Sequence, residues 1–127
     1  MRKLKVKEKD IQNAILAWLN YNGFFCWPMQ NQGQYDPIKK IYRKPPKWFV
    51  YGVPDIMVAM QYGIVLFIEV KTPVGKLSEH QQQFKARLGA LGHKYVVAKS
   101  VEDVAMFMGK MGYVNPNKMR LIGGTSD

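Results

Sequence analysis

Two acidic residues and a lysine stand at the ends of two consecutive apolar runs, where side chains of these types could do chemistry. Asp55 directly precedes the run 56–60, Glu69 lies near the end of the run 64–70, and Lys71 directly follows that second run. Hard divalent cations take carboxylate oxygens, waters and phosphate oxygens as ligands. A cation between Asp55 and Glu69 would activate a water and neutralise charge on a phosphodiester, and Lys71 would orient or polarise that water. These residues therefore predict metal-assisted cleavage of phosphodiester bonds.

The two apolar runs are predicted to form a β-hairpin that brings these residues together. Both runs are rich in aliphatic and β-branched residues, and the turn at 61–63 ends in Gly63, which can supply a positive φ. Because the start of one antiparallel strand lies beside the end of its partner, Asp55 and Glu69 should approach one ion. Alternation places Glu69 and Lys71 on one face. The alternative is that Asp55 is only a turn residue and that Glu69 and Lys71 are a surface pair. The apolar character of the strand that carries Glu69 disfavours this alternative.

Two helices can add a residue each to this site. Ser78 and Gln81 have the spacing of a capping box that begins a helix running to about Leu91, and Gln81 shares the apolar face of that helix. The alternative role of Gln81 is only to close the capping box. Glu8 lies in the first turn of a helix predicted over 7–20, on its apolar face. The alternative for Glu8 is a favourable acid at a helix N-terminus.

Three short motifs and one glutamine stand together in this part of the chain: Gly-Val-Pro-Asp at 52–55, Phe-Ile-Glu-Val-Lys-Thr-Pro at 67–73, Gly-Lys-Leu-Ser at 75–78, and Gln81. In this combination the chain resembles the VRR-NUC branch of the PD-(D/E)XK nuclease superfamily, in particular its small stand-alone members from phages. The resemblance runs from about Glu8 to Val104, with no matching pattern between Gln30 and Tyr51.

The resemblance implies a fold, a metal and a set of roles. The fold would be α/β, a PD-(D/E)XK nuclease-like mixed β-sheet flanked by helices. Asp55 and Glu69 would bind Mg²⁺, with Mn²⁺ as a substitute, helped by the Val70 main-chain carbonyl. Glu8 would complete the acidic cluster. Lys71 would serve the attacking water, and Gln81 would support the site from its helix.

The order of the elements is consistent with that fold. Beyond the first helix and the hairpin, we expect strands at 24–27 and 94–98 and a last helix that begins after Ser100, with Asp103 in the capping-box position, and ends near Gly112. The strand, helix, strand order after Lys71 implies a crossover, so the sheet should be mixed. We assign residues 1–112 to one domain and 113–127 to a C-terminal tail that is either mobile or part of an interface.

Residues 30–51 are predicted to be irregular and to contact nucleic acid. Cations can contact phosphates, and aromatic faces can stack on unpaired bases. The alternative is a solvated basic loop whose aromatic residues tuck under the core. We assign six residues of this segment to the nucleic-acid surface: Lys39, Lys40, Arg43, Lys44, Lys47 and Trp48. Lys76, from the 75–78 motif, is assigned to the same surface.

Composition limits the classes of partner. Among 127 residues, Lys and Arg outnumber Asp and Glu by 19 to 9, giving a formal net charge of +10, so a polyanion is the first expectation. No run approaches the ~20 apolar residues of a membrane span. One cysteine, Cys26, and two histidines exclude an intrachain disulfide and a Cys/His zinc site. The charged start lacks an apolar signal region, so we expect a cytoplasmic protein of a bacterial or phage-infected host cell.

The sequence therefore predicts a Mg²⁺-dependent endodeoxyribonuclease, selective for branched DNA such as four-way junctions. The competing class is a non-catalytic nucleic-acid-binding module that kept the fold. A sequence-specific restriction-type enzyme would need a recognition module, for which little chain remains. The resemblance also implies a homodimer, and the last helix is apolar on more than one face, through Met106, Phe107, Met108 and Met111.

Overall fold

A mixed four-stranded sheet forms the centre of the molecule. The computed structural model describes residues 6–29, 35–36, 41–42 and 46–113 of the chain. The strands are β1 (Phe25–Pro28), β2 (Tyr35–Asp36), β3 (Ile41–Tyr42), β4 (Ile56–Ala59), β5 (Val65–Val70) and β6 (Lys94–Ala98), and the helices are α1 (Glu8–Tyr21), α2 (Glu79–Ala90) and α3 (Val101–Lys110). Within those ranges no helix combines the length and apolar character that a bilayer span requires.

The order of strands in this sheet is β1-β4-β5-β6, and β4 runs antiparallel to both of its neighbours. The register pairs Ile56 with Ile68, so Asp55 precedes β4 where Glu69 ends β5. The next pairing is parallel and joins Val70 to Ala98, with α2 as the crossover between β5 and β6. The predicted α/β fold with a mixed sheet is thereby confirmed.

The two faces of β5 have different neighbours. Leu66, Ile68 and Val70 belong to the main core, together with buried residues of α1 and α3. The alternate residues point the other way, where Phe67 meets the Phe84 ring of α2 at a centroid distance of 5.8 Å. Since Glu69 shares the face of Phe67, it lies on the α2 side of the sheet. The candidate site is therefore built on the face opposite the main core.

Most element boundaries agree with the sequence predictions to within one or two residues, and three details differ. Residues 30–51 are not wholly irregular, because Tyr35 pairs with Tyr42 in a second, two-stranded antiparallel sheet. Aromatic and β-branched residue types favour such strands. The α2 helix, which was expected to run to about Leu91, ends at Ala90, and the Leu91 side chain is exposed. The turn at 61–63 has positive φ at both Tyr62 and Gly63.

Candidate active site

Asp55 is fixed between two strands by three hydrogen bonds. Its carboxylate Oδ2 accepts from the Val70 main-chain N–H at 2.7 Å. Its own N–H donates to the Ile68 carbonyl at 3.1 Å, and its carbonyl accepts from the Met29 N–H at 2.7 Å. A carboxylate held by a backbone N–H has a defined orientation. The predicted position of Asp55 beside the end of β5 is confirmed.

Gly52 lets the segment before Asp55 lie directly against α2. Its φ is +81°, and a Cβ atom added there would stand 2.4 Å from the His80 carbonyl oxygen. No side chain fits at that distance, and L-residues rarely adopt that φ. The glycine of the Gly-Val-Pro-Asp motif therefore brings Asp55 and the first turn of α2 to the same site.

Glu69 is the one buried charged side chain among the described residues, with 2% of its surface exposed. Burial, followed by the side-chain hydrogen bond and the charge of Asp55, raises the pKa of Glu69 to about 9, while the charge of Lys71 acts to lower it. At neutral pH Glu69 thus holds a proton that it can donate to Asp55. Its Oε1 atom is buried without a hydrogen-bond partner in the described part of the chain.

This pair suits a divalent cation. Two carboxyls at hydrogen-bond distance, one with an unused oxygen, repel each other when both are ionised, and a cation removes that repulsion. Oxygen-rich sites of one or two carboxylates are typical of Mg²⁺. The unsatisfied Oε1 is thus consistent with an atom that faces a bound cation or one of its waters.

The end of β5 directs two further groups toward the pair. The Lys71 N–H donates to the Ala98 carbonyl at 3.0 Å, whereas the Val70 N–H points the opposite way, to Asp55. Because the N–H and C=O of one strand residue point to the same side, the Val70 carbonyl also lies on the Asp55 side. The charge of Lys71 is felt at Glu69, so its ammonium lies near the pair.

Gln81 closes the predicted capping box. Its Oε1 accepts from the Ser78 N–H at 2.8 Å, and its N–H donates to Ser78 Oγ at 3.2 Å. The side-chain oxygen is therefore used in the cap, whereas the amide nitrogen has no hydrogen bond to any residue that the structure describes. Gln81 is half-buried beside Gly52. Both roles considered from the sequence are compatible with this geometry.

The Glu8 side chain is exposed, whereas its helical phase predicts a position on the buried face of α1. Glu8 is the first residue of α1 and is exposed, because the helix has no preceding turn to cover it. The charge of Glu8 also raises the pKa of Glu69, but by less than burial and Asp55 do. Within the described ranges no three His, Cys, Asp or Glu side chains are grouped so as to hold an ion. Asp55 and Glu69 form a pair, and Glu8 does not extend it to a cluster of three.

Tyr95 was not predicted and lies at the site. It pairs with Phe67 across the parallel β5–β6 ladder, so its side chain shares the face of Glu69. Its hydroxyl is buried without a partner in the described part of the chain. Burial, and then the charges of Glu69 and Asp55, raise the pKa of this hydroxyl above its usual range. The alternation of residues 94–98 could have indicated its face, but not its register with β5.

The residues assigned to nucleic acid are only partly covered by the structure. Four of them lie outside the described residues: Lys39, Lys40, Arg43 and Lys44. Lys47, Trp48 and Lys76 are all exposed, and Lys47 Nζ lies 5.1 Å from the centroid of the Trp48 ring. Trp48 is 85% exposed and has a φ of 75°. For Trp48, the alternative of an aromatic residue tucked under the core is wrong.

A further aromatic group links this segment to α2. The Phe49 ring meets Tyr51 edge-on, and Tyr51 stacks on His80, each at a centroid distance of 4.9 Å. Tyr51 and His80 are exposed. The same α2 turn contacts Gly52. We call Trp48, Phe49, Tyr51 and His80 the aromatic surface, and it adjoins the candidate active site.

Comparison with known proteins identifies the family of this chain from its sequence and finds similar folds among solved structures. The family model of the VRR-NUC domain matches residues 6–102. The protein named "Putative nuclease p44" of Acyrthosiphon pisum secondary endosymbiont phage 1 is 45% identical over 49 residues, which are 39% of this chain and 53% of that protein. The chain thus spans about half the length of this curated relative.

Two solved structures have a similar fold. One, described as a VRR_NUC domain, has a TM-score of 0.58 at 22% identity, over 83% of this chain and 97% of that one. The other, described as a VRR_NUC domain protein, has a TM-score of 0.57 at 17% identity, over 85% of this chain and 89% of that one. At these identities the likeness concerns the fold alone.

Proposed function

We propose that this chain, which belongs to the VRR-NUC domain family, is a nuclease, and more specifically a metal-dependent endonuclease that hydrolyses phosphodiester bonds in DNA. The pair formed by the buried Glu69 and the half-buried Asp55 supports this function most strongly. Keeping a carboxyl buried and protonated beside a second carboxyl is costly, and such perturbed acids are concentrated at functional sites. A protein that only bound nucleic acid would gain nothing from this arrangement.

The metal of this proposal is Mg²⁺, with Mn²⁺ as a substitute. Asp55, Glu69 and the Val70 carbonyl would hold it. When bound, such a cation lowers the pKa of a coordinated water and stabilises charge on the phosphodiester. Glu69 has to release its proton to become a ligand, so binding of the cation should tighten as the pH rises.

The remaining residues of the site have roles that follow from their positions. Lys71 supplies a positive charge beside the pair, where it can orient the attacking water or a phosphate oxygen. Gln81 is fixed by the capping box and can donate from its amide nitrogen. Asp55 is oriented by the Val70 N–H, which limits the freedom that its carboxylate would lose on binding a ligand.

The proposed substrate is branched or otherwise distorted DNA. The aromatic surface beside the active site supports this choice, because exposed rings can stack on bases that are no longer paired. Trp48 is exposed although its positive φ is unfavourable for a bulky residue, and such strain is often retained at functional positions. The net charge of +10 favours a polyanionic partner.

A four-way junction requires two cuts on opposite strands, which a two-fold dimer with one site in each subunit can make. Met106, at the surface of α3, is 71% exposed, and Met111 beyond its end is exposed too. Exposed methionines of this kind suit a self-complementary interface. A homodimer is therefore part of this proposal.

A cleavage panel tests the proposed function. Single-stranded, duplex, flap and four-way DNA substrates of related sequence, each with a labelled strand, are incubated with Mg²⁺, Mn²⁺ or EDTA. We expect incision of the branched substrates with either cation, and none with EDTA. Binding of these substrates without incision in either cation would instead identify a non-catalytic module. Equal incision of linear duplex and junction would remove the preference for branched DNA.

A further inference from the structure

Two buried polar side-chain atoms lack a hydrogen-bond partner within the described ranges, and both are at this site: Glu69 Oε1 and the Tyr95 hydroxyl. A buried unsatisfied polar group costs about 1–3 kcal/mol, so isolated instances are uncommon. They belong to adjacent strands and share one face of the sheet. Their proximity suggests a common partner.

The position of the Tyr95 hydroxyl is well defined. The β5–β6 register places Tyr95 opposite Phe67, with Glu69 two residues further along the same face. Lys85 Nζ lies 5.8 Å from the centroid of the Tyr95 ring. The pKa of this hydroxyl responds to the charges of Glu69 and then Asp55, which places it near both carboxyls. It does not hydrogen-bond to Glu69 directly, so both atoms are available to one shared partner.

On the basis of the proposed metal-dependent function, we propose that the Tyr95 hydroxyl positions a water of the divalent cation held by Asp55 and Glu69. That water would donate one hydrogen to Glu69 Oε1 and the other to the Tyr95 hydroxyl oxygen. Mg²⁺ usually retains several waters in protein sites, and a bound water is a strong donor. One water would thereby satisfy both unpaired atoms.

A water suits this position better than a phosphate oxygen of DNA does. The Tyr95 hydroxyl is closed to solvent, so an incoming phosphate cannot reach it without movement of the strands. A water is smaller than a phosphate group and can donate to both unpaired oxygens at once. Tyr95 is therefore a positioning residue that acts through the cation shell, and it does not contact the substrate.

The test compares Tyr95→Phe with the parent protein in the absence of DNA. Calorimetric titration with Mn²⁺ at constant pH should show an affinity about tenfold lower for Tyr95→Phe, the lower end of the effect seen for groups that orient metal ligands. Without metal, Tyr95→Phe should be at least as stable as the parent, because it removes an unpaired buried hydroxyl. Tyr62→Phe is the matched control, since Tyr62 is exposed in the 61–63 turn.

The outcomes separate this inference from the function on which it rests. Equal Mn²⁺ affinity for Tyr95→Phe and the parent would overturn the role of Tyr95 and leave the nuclease proposal intact. Failure of the parent to bind Mn²⁺ would overturn both.

Discussion

Replacing Glu69 with glutamine should make the metal-free protein more stable, by an amount that grows with pH. Burial and the neighbouring Asp55 raise the pKa of Glu69 from 4.5 to about 9. Between these two values the folded protein holds a proton that the unfolded chain has released. Rising pH therefore favours the unfolded chain, and the stability present below pH 4.5 is lost progressively up to about pH 9. Glutamine keeps the shape and the polar contacts but does not titrate.

The size of this effect follows from the difference between the two pKa values. Each pH unit inside that window changes the free energy of unfolding by about 1.4 kcal/mol per proton. At about pH 7.5, some three units above the lower value, Glu69 lowers the stability of the parent by about 4 kcal/mol. That is a large share of the ~5–15 kcal/mol that holds a domain folded.

The assay is urea unfolding in EDTA at several values between about pH 5.5 and pH 8.5, for the parent and Glu69→Gln. The difference in unfolding free energy should increase by about 1.4 kcal/mol per pH unit. Glu102→Gln, an exposed acid at the start of α3, is the control and should follow the parent. Saturating Mn²⁺ should make the parent more stable than Glu69→Gln, because only the parent retains both carboxylate ligands. Parallel stability curves for the parent and Glu69→Gln would show that Glu69 is ionised without metal and would refute this reasoning.

Four other experiments test separate parts of the account. Gly52→Ala should destabilise the fold by more than about 2 kcal/mol, because the added methyl group clashes with the His80 carbonyl and the positive φ is strained. Gly63→Ala is the control, since Gly63 also has positive φ but no described atom lies within 4 Å of its Cβ position. Its unfolding free energy in the same urea assay should fall by only about 1–2 kcal/mol. Trp48→Ala should reduce the ratio of junction to duplex affinity in a binding titration, and an unchanged ratio would place the branch contact elsewhere. Static light scattering at micromolar protein should give about twice the 14.6 kDa chain mass, and a monomer making paired, symmetric cuts would rule out the dimer. The last experiment replaces four loop cations with alanine: Lys39, Lys40, Arg43 and Lys44. The slope of log affinity against log salt concentration on duplex DNA should flatten by about 0.9 for each phosphate contact that is lost. An unchanged slope would exclude these cations from the DNA-binding surface.

The centre of the site was predictable because it depends on local rules. An antiparallel hairpin and the alternation of strand residues are sufficient to place Asp55 beside the end of β5 and to separate Glu69 from Val70. The capping box at Ser78 fixed the start of α2 in the same way. Each of these inferences concerns residues that are close in sequence or joined by a short turn.

The parts that were missed or misplaced depend on tertiary packing. Tyr95 reaches the site only through the parallel register of β6, which follows from how α2 crosses the sheet. Glu8 has the helical phase of an inward residue, yet it is exposed because α1 begins there. Gly52 was visible as a motif residue, but its close contact with the His80 carbonyl could not be deduced from its position in the sequence.

Junction cleavage by the parent and Asp55→Asn, purified in parallel and assayed with Mg²⁺, tests the central claim most directly. Asp55→Asn removes one ligand charge at nearly constant volume, and the loss of several kcal/mol of transition-state stabilisation should slow cleavage by at least about a thousandfold. Its affinity for the junction, measured in the presence of Ca²⁺, should stay within about threefold of the parent, a difference below about 0.7 kcal/mol. Near-normal cleavage by Asp55→Asn would contradict the assignment of the Asp55–Glu69 pair as the catalytic metal site.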